Sequence, residues 1–577
     1  MSGKRVMVLK FGGSVLADQA ALGEVVHEVY RWRRAGYQVA VVTSAFFGKT
    51  DKLIEQVASV CPDASPETMA ATVSLGECES ACALATVLDR AGVPVTVLMP
   101  GAIGLHADGP ADDAMPVGLR TDLIQKSLDR VGVVVIPGFV GHGDAGQPVV
   151  LGRGGSDLTA LYVAAQLGSR CRLVKDVDAL YEHDPKKPGP KPRRFAHVHY
   201  DDELKLNAKA IQPKAVRFAQ GLGLGFELTD LNGVDPTIIS NDPTLLQSGA
   251  EPGAPLKVAL LGFGAVGVGV YQHLSRMPEF EVAAIAVRDA DKPRDVELPE
   301  QIVTTDAVKA AGSGVDLVIE VIGGIGVAGE AIEAALKTGA HVVTANKALL
   351  AQRWESLQQL CEKHGGSLLG SASVGGGVPM LESLGVRPGK SVRSVRGVLN
   401  GTTNFVLGQV AAGVLPQAAI KDAQDRGYAE ADPSGDIDGL DAAYKLCVIA
   451  RTLGAELEAD QIGCDAFTPE TLGEALSHGS DSAIVRQVGS LDLTGATPVG
   501  EVRLIAIEPE DSLYEVPGEK NALVVTWDDG VETIVRGRGA GRWPTSESVM
   551  SDVLSILRKQ AVRPTGQASS EGAVHAG

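Results

Sequence analysis

KVALLGFGAVG, at residues 257–267, is the stretch whose reading decides the architecture. Lys257 to Leu261 read as a buried strand, Gly262, Gly264 and Gly267 follow with Phe263, Ala265 and Val266 between them, and VGVYQHLSRM continues as a helix. A strand, a G-x-G-x-x-G turn and a helix in that order form a dinucleotide-binding unit. The first glycine makes the tight turn, the second lets a pyrophosphate approach the backbone, and the third lets helix pack on strand. The helix N-terminus adds N–H donors for the phosphates. The next strand, EVAAIAV, runs to Arg288-Asp289, with Lys292 nearby. A cation at this tip would accommodate a 2′-phosphate, as in NADP, whereas Asp289 keeps the ribose hydroxyls of NAD open. The plainer alternative is that Arg288 and Lys292 are two solvated surface cations.

Outward from this unit the same grammar repeats. RVMVLKF, QVAVVTS, VGVVVIPGF and RCRLVKD read as strands before it, DLVIEVIGG and HVVTANK after it, and amphipathic Ala-rich segments separate them. Repeated βα units predict an α/β fold with mainly parallel sheets. Residues 247–256, QSGAEPGAPL, lack periodicity and sit just before the strand, which makes them the expected linker. The 577 residues exceed one core, so two large parts are expected. A net charge of −19 argues against a general nucleic-acid or anionic-membrane binder, although a local pocket can oppose the global sign. Seven cysteines without C-x-x-C pairing suggest reduced thiols rather than disulfides or zinc. No signal peptide and no membrane-spanning apolar run are read, so the cytoplasm is expected.

From about residue 257 to 560 the chain resembles homoserine dehydrogenase. The resemblance is carried by LLGFGAVG, EVIGG, ANKALLA, SVGGGVP, LNGTTNF, GYAEADP…DGLDAAYK and GRGAGRWPTSESVMSD. It implies a Rossmann domain at 257–390, an α+β substrate and dimerisation domain at 391–540, and a helix at 541–561 returning to the nucleotide domain; the small, polar composition of residues 562–577 predicts a disordered tail after it. The resemblance implies that Glu430 binds the amino group of homoserine and Asp441 helps hold the substrate. Lys445 would sit over the reacting oxygen, with Lys347 as the second lysine at nicotinamide and substrate. Asp441 and Lys445 are four apart and share a helical face. The 262–267 loop, Gly323, Gly539 and Gly541 would hold or close over the cofactor, and Asn400, Gly401, Thr402 and Thr403 would begin the substrate wall. The family holds a monovalent cation beside the SVGGGVP loop, partly through a carboxylate. Here Ser371 stands at the matching position, leaving the carbonyls of Val374, Gly376 and Val378.

Near the N-terminus, Lys10-Phe11-Gly12-Gly13-Ser14 follows a strand, and Gly154-Gly155-Ser156-Asp157 follows a later strand and opens a helix. Glycine turns with a lysine at a strand end suit a polyphosphate, but the spacing is not that of a P-loop. With VVTSAFFGKTD, SLGE, LGRGGSDLTA, KDVDALYEHDP and NAKAIQPKAV, residues 5–245 resemble the catalytic part of aspartate kinase, of the amino-acid kinase family, an αβα sandwich assigned here to 1–246. The resemblance implies that Lys10 and Lys209 contact the phosphates of ATP·Mg2+ and that Gly12 and Gly13 cradle them. Ser156, Lys175 and Asp176 would also belong to the nucleotide site. Ser44 and Thr50 would line the aspartate pocket, Glu77 would face its amino group, Arg153 its α-carboxylate, and Asp157 would orient the phosphate-site lysine. Two departures stand out: KFGGTSV is KFGGSVL here, and the threonine of TDVDGVY is Lys175.

The kinase reading ends near Pro243 and the dehydrogenase strand starts at Lys257, which leaves no space between them for an ACT regulatory module, and the C-terminal tail is also too short for one. The expectation is a homodimeric or homotetrameric enzyme with two activities acting on small molecules. The alternatives are a dehydrogenase with a silent kinase-like domain used for assembly or ligand sensing, and a non-catalytic metabolite sensor.

Overall fold

The computed structural model describes residues 5–185, 187, 192–206, 210–231, 233, 235–247, 254–292, 294, 296–426, 428–429 and 432–561. Three sheets organise the chain, with a small four-stranded sheet beside the first.

In the first half, Val6–Phe11 lies between Gln38–Thr43 and Arg170–Val174, parallel to both, near the middle of a nine-stranded sheet. All three strands are almost wholly buried, as continuous apolar runs in a parallel sheet require. Phe11 pairs with Thr43 on one side and Val174 on the other, so Gly12, Ser44 and Lys175 emerge level at one edge. The helix Gly155–Leu167 packs on the first strand, which brings residues 154–157 to that edge too.

The second sheet is all parallel, in the order Val303–Thr304, Phe280–Ala286, Leu256–Leu261, Leu317–Glu320, His341–Thr344, Leu368–Leu369. Strand order reverses between Leu256–Leu261 and Leu317–Glu320, the crevice where α/β sheets bind ligands. The helix after the glycine turn spans Ala265–Leu274, three residues earlier at each end than VGVYQHLSRM suggested, because the turn residues Ala265 to Gly267 are already helical. The linker is also shorter than 247–256: Gln247 ends a strand and Leu256 begins the next.

The third sheet, Gly463–Cys464, Val499–Ile507, Ile484–Asp492, Val392–Val398, Lys520–Trp527, Glu532–Arg538, is antiparallel except for its first pair. The helix Leu440–Thr452 packs on it. The helix Arg542–Ala561 then returns to lie on Ala265–Leu274.

One sequence expectation is corrected. The helix Pro66–Arg90 is long and apolar enough, by length and composition, to cross a membrane. Its hydropathy comes from Ala, Cys, Leu and Val residues, and its buried face, including Glu77, packs inside the first half. All seven cysteines are free.

Candidate functional sites

The second half places three loops at the switch point. Gly262 adopts φ 101°, and a Cβ there would meet the Val321 carbonyl oxygen at 2.7 Å; a Cβ on Gly267 would collide with the Gly262 carbonyl. Both positions therefore require glycine for backbone reasons. Gly264 differs: nothing lies within 4 Å of its Cβ position, so its face is an open cradle beside the first N–H groups of Ala265–Leu274. Such a cradle fits a pyrophosphate. Gly323, φ 82°, turns the neighbouring loop, whose N–H groups at Ile322 and Gly323 are held by buried Glu320 at 2.8 and 2.9 Å. Asn346 caps the helix Lys347–His364 through Leu349 N–H at 3.2 Å and donates to the Gly324 carbonyl at 2.6 Å. This capping sets Lys347 at the helix start, beside the glycine turns.

Lys347 meets Asp441 there, Nζ to Oδ1 2.8 Å. Lys445, one turn on from Asp441, reaches Oδ2 at 2.7 Å and the Leu399 carbonyl at 2.6 Å. Burial alone would raise the Asp441 pKa, but the two lysines outweigh it and hold the carboxyl well below its ordinary range. Asn400 bridges Asp441 and Asp436, donating at 2.8 Å to each, and Asn521 supports the Leu399 carbonyl at 2.8 Å. Asp436, raised by burial, and Asn521 were not singled out from the sequence. Asp436 lies inside the carboxylate-dense block, but nothing in that block distinguishes it from its acidic neighbours. Thr402 donates to the Tyr428 carbonyl at 2.6 Å. Glu430 lies outside the described residues.

Arg288 and Lys292 are exposed in the turn after Phe280–Ala286, next to the glycine loop, whose Gly262 N–H bonds Ala286 O at 2.9 Å. Arg294, a third cation missed in the sequence, wraps the same turn by bonding the Ala290 and Lys292 carbonyls at 2.9 Å. Gly541, φ 113°, precedes the returning helix, and Gly539 packs against Asn521. The 371–378 loop does not fit a side-chain-ligated cation. The Ser371 hydroxyl is already bonded to Arg34 at 2.7 Å and Asp552 at 2.8 Å, and of the three expected carbonyl ligands, Val374, Gly376 and Val378, the Val378 oxygen already accepts the Met380 N–H at 2.7 Å.

The first half assembles a second cluster. Asp157 binds Lys10, Oδ1 to Nζ 2.6 Å, and Lys175, Oδ2 to Nζ 2.8 Å. A Cβ on Gly12 would lie 3.5 Å from Lys10 Nζ and 3.5 Å from Lys175 Cδ, so both lysines converge beside the glycine turn. Burial tends to raise the Asp157 pKa, but the two ammonium groups bring it down to about 2. Burial, with Lys175 beside it, lowers Lys10 to about 8 against the pull of Asp157. A bound polyanion would raise it again. Gly13 faces the Ala45 carbonyl, and Ser14 donates to Asp176 at 3.0 Å. Ser156 is buried at the helix N-terminus.

Glu77 is 4% exposed and its Oε2 is buried without a hydrogen-bond partner. Burial pushes its pKa up to about 8, opposed by Lys10 and the Ala45 N–H. An orphaned buried carboxylate oxygen is costly unless a ligand amine or proton satisfies it. Ser44 accepts Ser80 Oγ at its carbonyl, 2.7 Å, and Thr50 lies in the helix Lys49–Val60. Arg153 is exposed on the 152–154 turn, with no ion-pair partner among the described residues. Lys209 lies outside the described residues.

Comparison with known proteins agrees with this division. The family model described as "Homoserine dehydrogenase" matches residues 379–554, "Homoserine dehydrogenase, NAD binding domain" matches 262–369, and "Amino acid kinase family" matches 5–224. A homoserine dehydrogenase of Synechocystis is 34% identical over 338 residues, 52% of this chain and 73% of its own length. That of Bacillus subtilis is 33% identical over 328 residues, 54% and 75%. A crystal structure of a homoserine dehydrogenase from Thiobacillus denitrificans matches with TM-score 0.49 and 30% identity, covering 55% of this chain and 76% of that one. The chain belongs to the homoserine dehydrogenase family and carries an amino-acid kinase family domain fused ahead of the dehydrogenase.

Proposed function

We propose that the dehydrogenase half interconverts L-aspartate 4-semialdehyde and L-homoserine at the Lys347–Asp441–Lys445 cluster, and that the first half phosphorylates L-aspartate at the Lys10–Asp157–Lys175 cluster. The carrying observation is that each half gathers two lysines on one largely enclosed aspartate beside glycine turns.

In the dehydrogenase the bound nicotinamide supplies or accepts the hydride. The protein's task is the proton and charge at the substrate oxygen. Lys445, 8% exposed and fixed by Asp441 and Leu399 O, keeps one N–H for that oxygen, stabilising alkoxide character and delivering the proton in the reducing direction. Lys347, 37% exposed at its side chain, bridges the cluster to the cofactor side. Arg288 and Lys292 favour NADP over NAD, because a 2′-phosphate at the strand tip would meet two cations otherwise facing solvent.

In the kinase an oxygen of the aspartate β-carboxylate attacks the γ-phosphorus of ATP, and ADP leaves. The protein contributes positioning and charge neutralisation, with no protein nucleophile. Lys10 and Lys175 provide two positive charges against one aspartate, and Glu77 offers its orphaned oxygen to the substrate ammonium. Mg2+ enters with ATP. The test is an assay of purified protein for both reactions, trapping aspartyl phosphate as the hydroxamate. Absence of hydroxamate under conditions where homoserine is oxidised refutes the kinase reading and leaves the dehydrogenase intact.

A further inference from the structure

The kinase half supplies buried partners to the dehydrogenase half. Arg34 ends the helix Leu22–Arg34, and its guanidinium lies between two dehydrogenase segments. Nη2 donates to Asp552 Oδ1 at 2.6 Å and to Ser371 Oγ at 2.7 Å, and Arg34 also pairs with Glu382. Asp552 in turn accepts the Ser371 N–H at 3.0 Å. Two turns earlier on the same helical face, His27 bonds Glu547 through Nδ1 and His273 through Nε2, the latter at 3.1 Å. Its two nitrogens serve different partners, which links the three residues in a hydrogen-bonded chain whose ligand atoms lie within 4.8 Å of one another.

Asp552 and Glu547 are 1% and 2% exposed, both on the helix Arg542–Ala561. Among the described residues their ion-pair partners are Arg34 and His27, both from the kinase half. A buried carboxylate without its cation is strongly destabilising. The helix they sit on also donates Ser546 Oγ to the Val266 carbonyl at 3.0 Å, in the turn that opens Ala265–Leu274. Ser371 begins the loop whose Gly377 N–H bonds the Arg538 carbonyl at 3.3 Å and whose Gly376 abuts Gly539. The kinase half touches this junction again, with Arg90 over the Trp543 ring at 4.4 Å.

We propose that Arg34 is a positioning residue of the dehydrogenase. By neutralising Asp552 and tying it to Ser371, it sets the returning helix and the 371–378 loop against the dinucleotide turn, so the cofactor site is built jointly by both halves. Arg34 acts through Asp552 and Ser371 and not on substrate or cofactor directly. Its loss should therefore appear in cofactor binding and leave the chemical step nearly unchanged.

The test uses the full chain and dehydrogenase kinetics. Arg34→Ala should raise KM for the nicotinamide cofactor at least tenfold, with kcat at saturation within about threefold of wild type. Added ethylguanidinium should recover part of the lost affinity in this variant and do nothing to wild type. Arg34→Lys keeps the charge but loses the planar fork, and should fall between. The double variant Arg34→Met/Asp552→Leu removes the central pair and leaves Glu382, whose side chain is 16% exposed, to take up a proton or water, while Ser371 stays untied, so its KM should stay high. A folded double variant with wild-type cofactor KM overturns the proposal, as does a loss confined to kcat. If Arg34→Ala does not fold, the double variant and Arg34→Lys decide the question by the same KM criterion.

Discussion

The two halves solve similar problems with the same three charges in different settings. In the kinase half, Lys10, Asp157 and Lys175 come from a strand interior, a helix N-terminus and a strand end, and all three are nearly buried. In the dehydrogenase half, Asp441 and Lys445 are one helical turn apart and Lys347 arrives from the nucleotide-binding sheet, more than a third exposed. Each cluster keeps one net positive charge. The kinase cluster holds both lysine side chains against a glycine turn, an arrangement for a polyanion. The dehydrogenase cluster pins one lysine by two acceptors and places the other, paired with the same aspartate but more exposed, at the domain crevice, an arrangement for one developing oxyanion. What differs is how exposed the second lysine is, and that difference can be tested.

The largest expected effect is at Lys445. Lys445→Ala should lower dehydrogenase turnover by roughly 10³-fold, with cofactor KM changed little, because the interaction lost forms at the transition state. Steady-state kinetics in both directions check this, and near-normal turnover would remove Lys445 from the chemistry. Lys347→Ala should cost less in turnover, roughly 10-fold to 10²-fold; equal losses would mean that the two lysines act as one unit and the contrast with the kinase cluster is wrong.

Glu77 comes next, and separates stability from function. Its pKa is raised to about 8, so from the ordinary carboxylate range up to pH 8 the folded protein keeps a proton the unfolded chain has released. This contribution is fully present at low pH and is lost as pH rises through 8. Glu77→Gln should abolish that slope and raise the melting temperature of the ligand-free kinase half at pH 8 by roughly 4 °C. It should also lower aspartate phosphorylation by about 10²-fold, since the substrate ammonium loses its carboxylate. Aspartate binding at pH 7 should release a proton, measurable by calorimetry in buffers of different ionisation enthalpy. Binding with no proton release would place the amino group elsewhere.

Lys175→Thr sharpens the comparison from the kinase side. Removing one of two cations at Asp157 should raise the apparent KM for ATP about tenfold and lift the Lys10 pKa, which Lys175 depresses. An unchanged KM would make Lys175 a structural partner of Asp157 only. The smallest effect is expected at the strand tip. Replacing Arg288 and Lys292 together by Ala should raise KM for NADP roughly tenfold and that for NAD less than twofold. Parallel changes for both cofactors would assign the pair to ordinary surface charge.

The dinucleotide turn was legible in the sequence because its demands are local. A strand, three glycines and a helix start are consecutive, and two of the glycines are required by backbone atoms within the same unit and its neighbouring strand. The Asp441–Lys445 pair was legible for the same reason, since helical periodicity alone places them together. The kinase turns at Lys10 and Asp157 could be seen locally but joined into one site only through resemblance, because no local rule brings Lys10, Asp157 and Lys175 to one point. Parallel strand register does that, levelling Gly12, Ser44 and Lys175 at one edge. Asn400, Asp436 and Asn521 depend likewise on how the third sheet meets the helix Leu440–Thr452. The sequence by itself determined the α/β architecture, the nucleotide turn and the helical Asp–Lys pair, which are set by short-range periodicity and backbone sterics. Only the tertiary structure decided that Glu77 would keep an orphaned oxygen, that Lys175 would share Asp157 with Lys10, and that Arg34 of one half would neutralise Asp552 of the other. Burial and long-range pairing set the energy of a charge, and neither can be read from its neighbours in the chain.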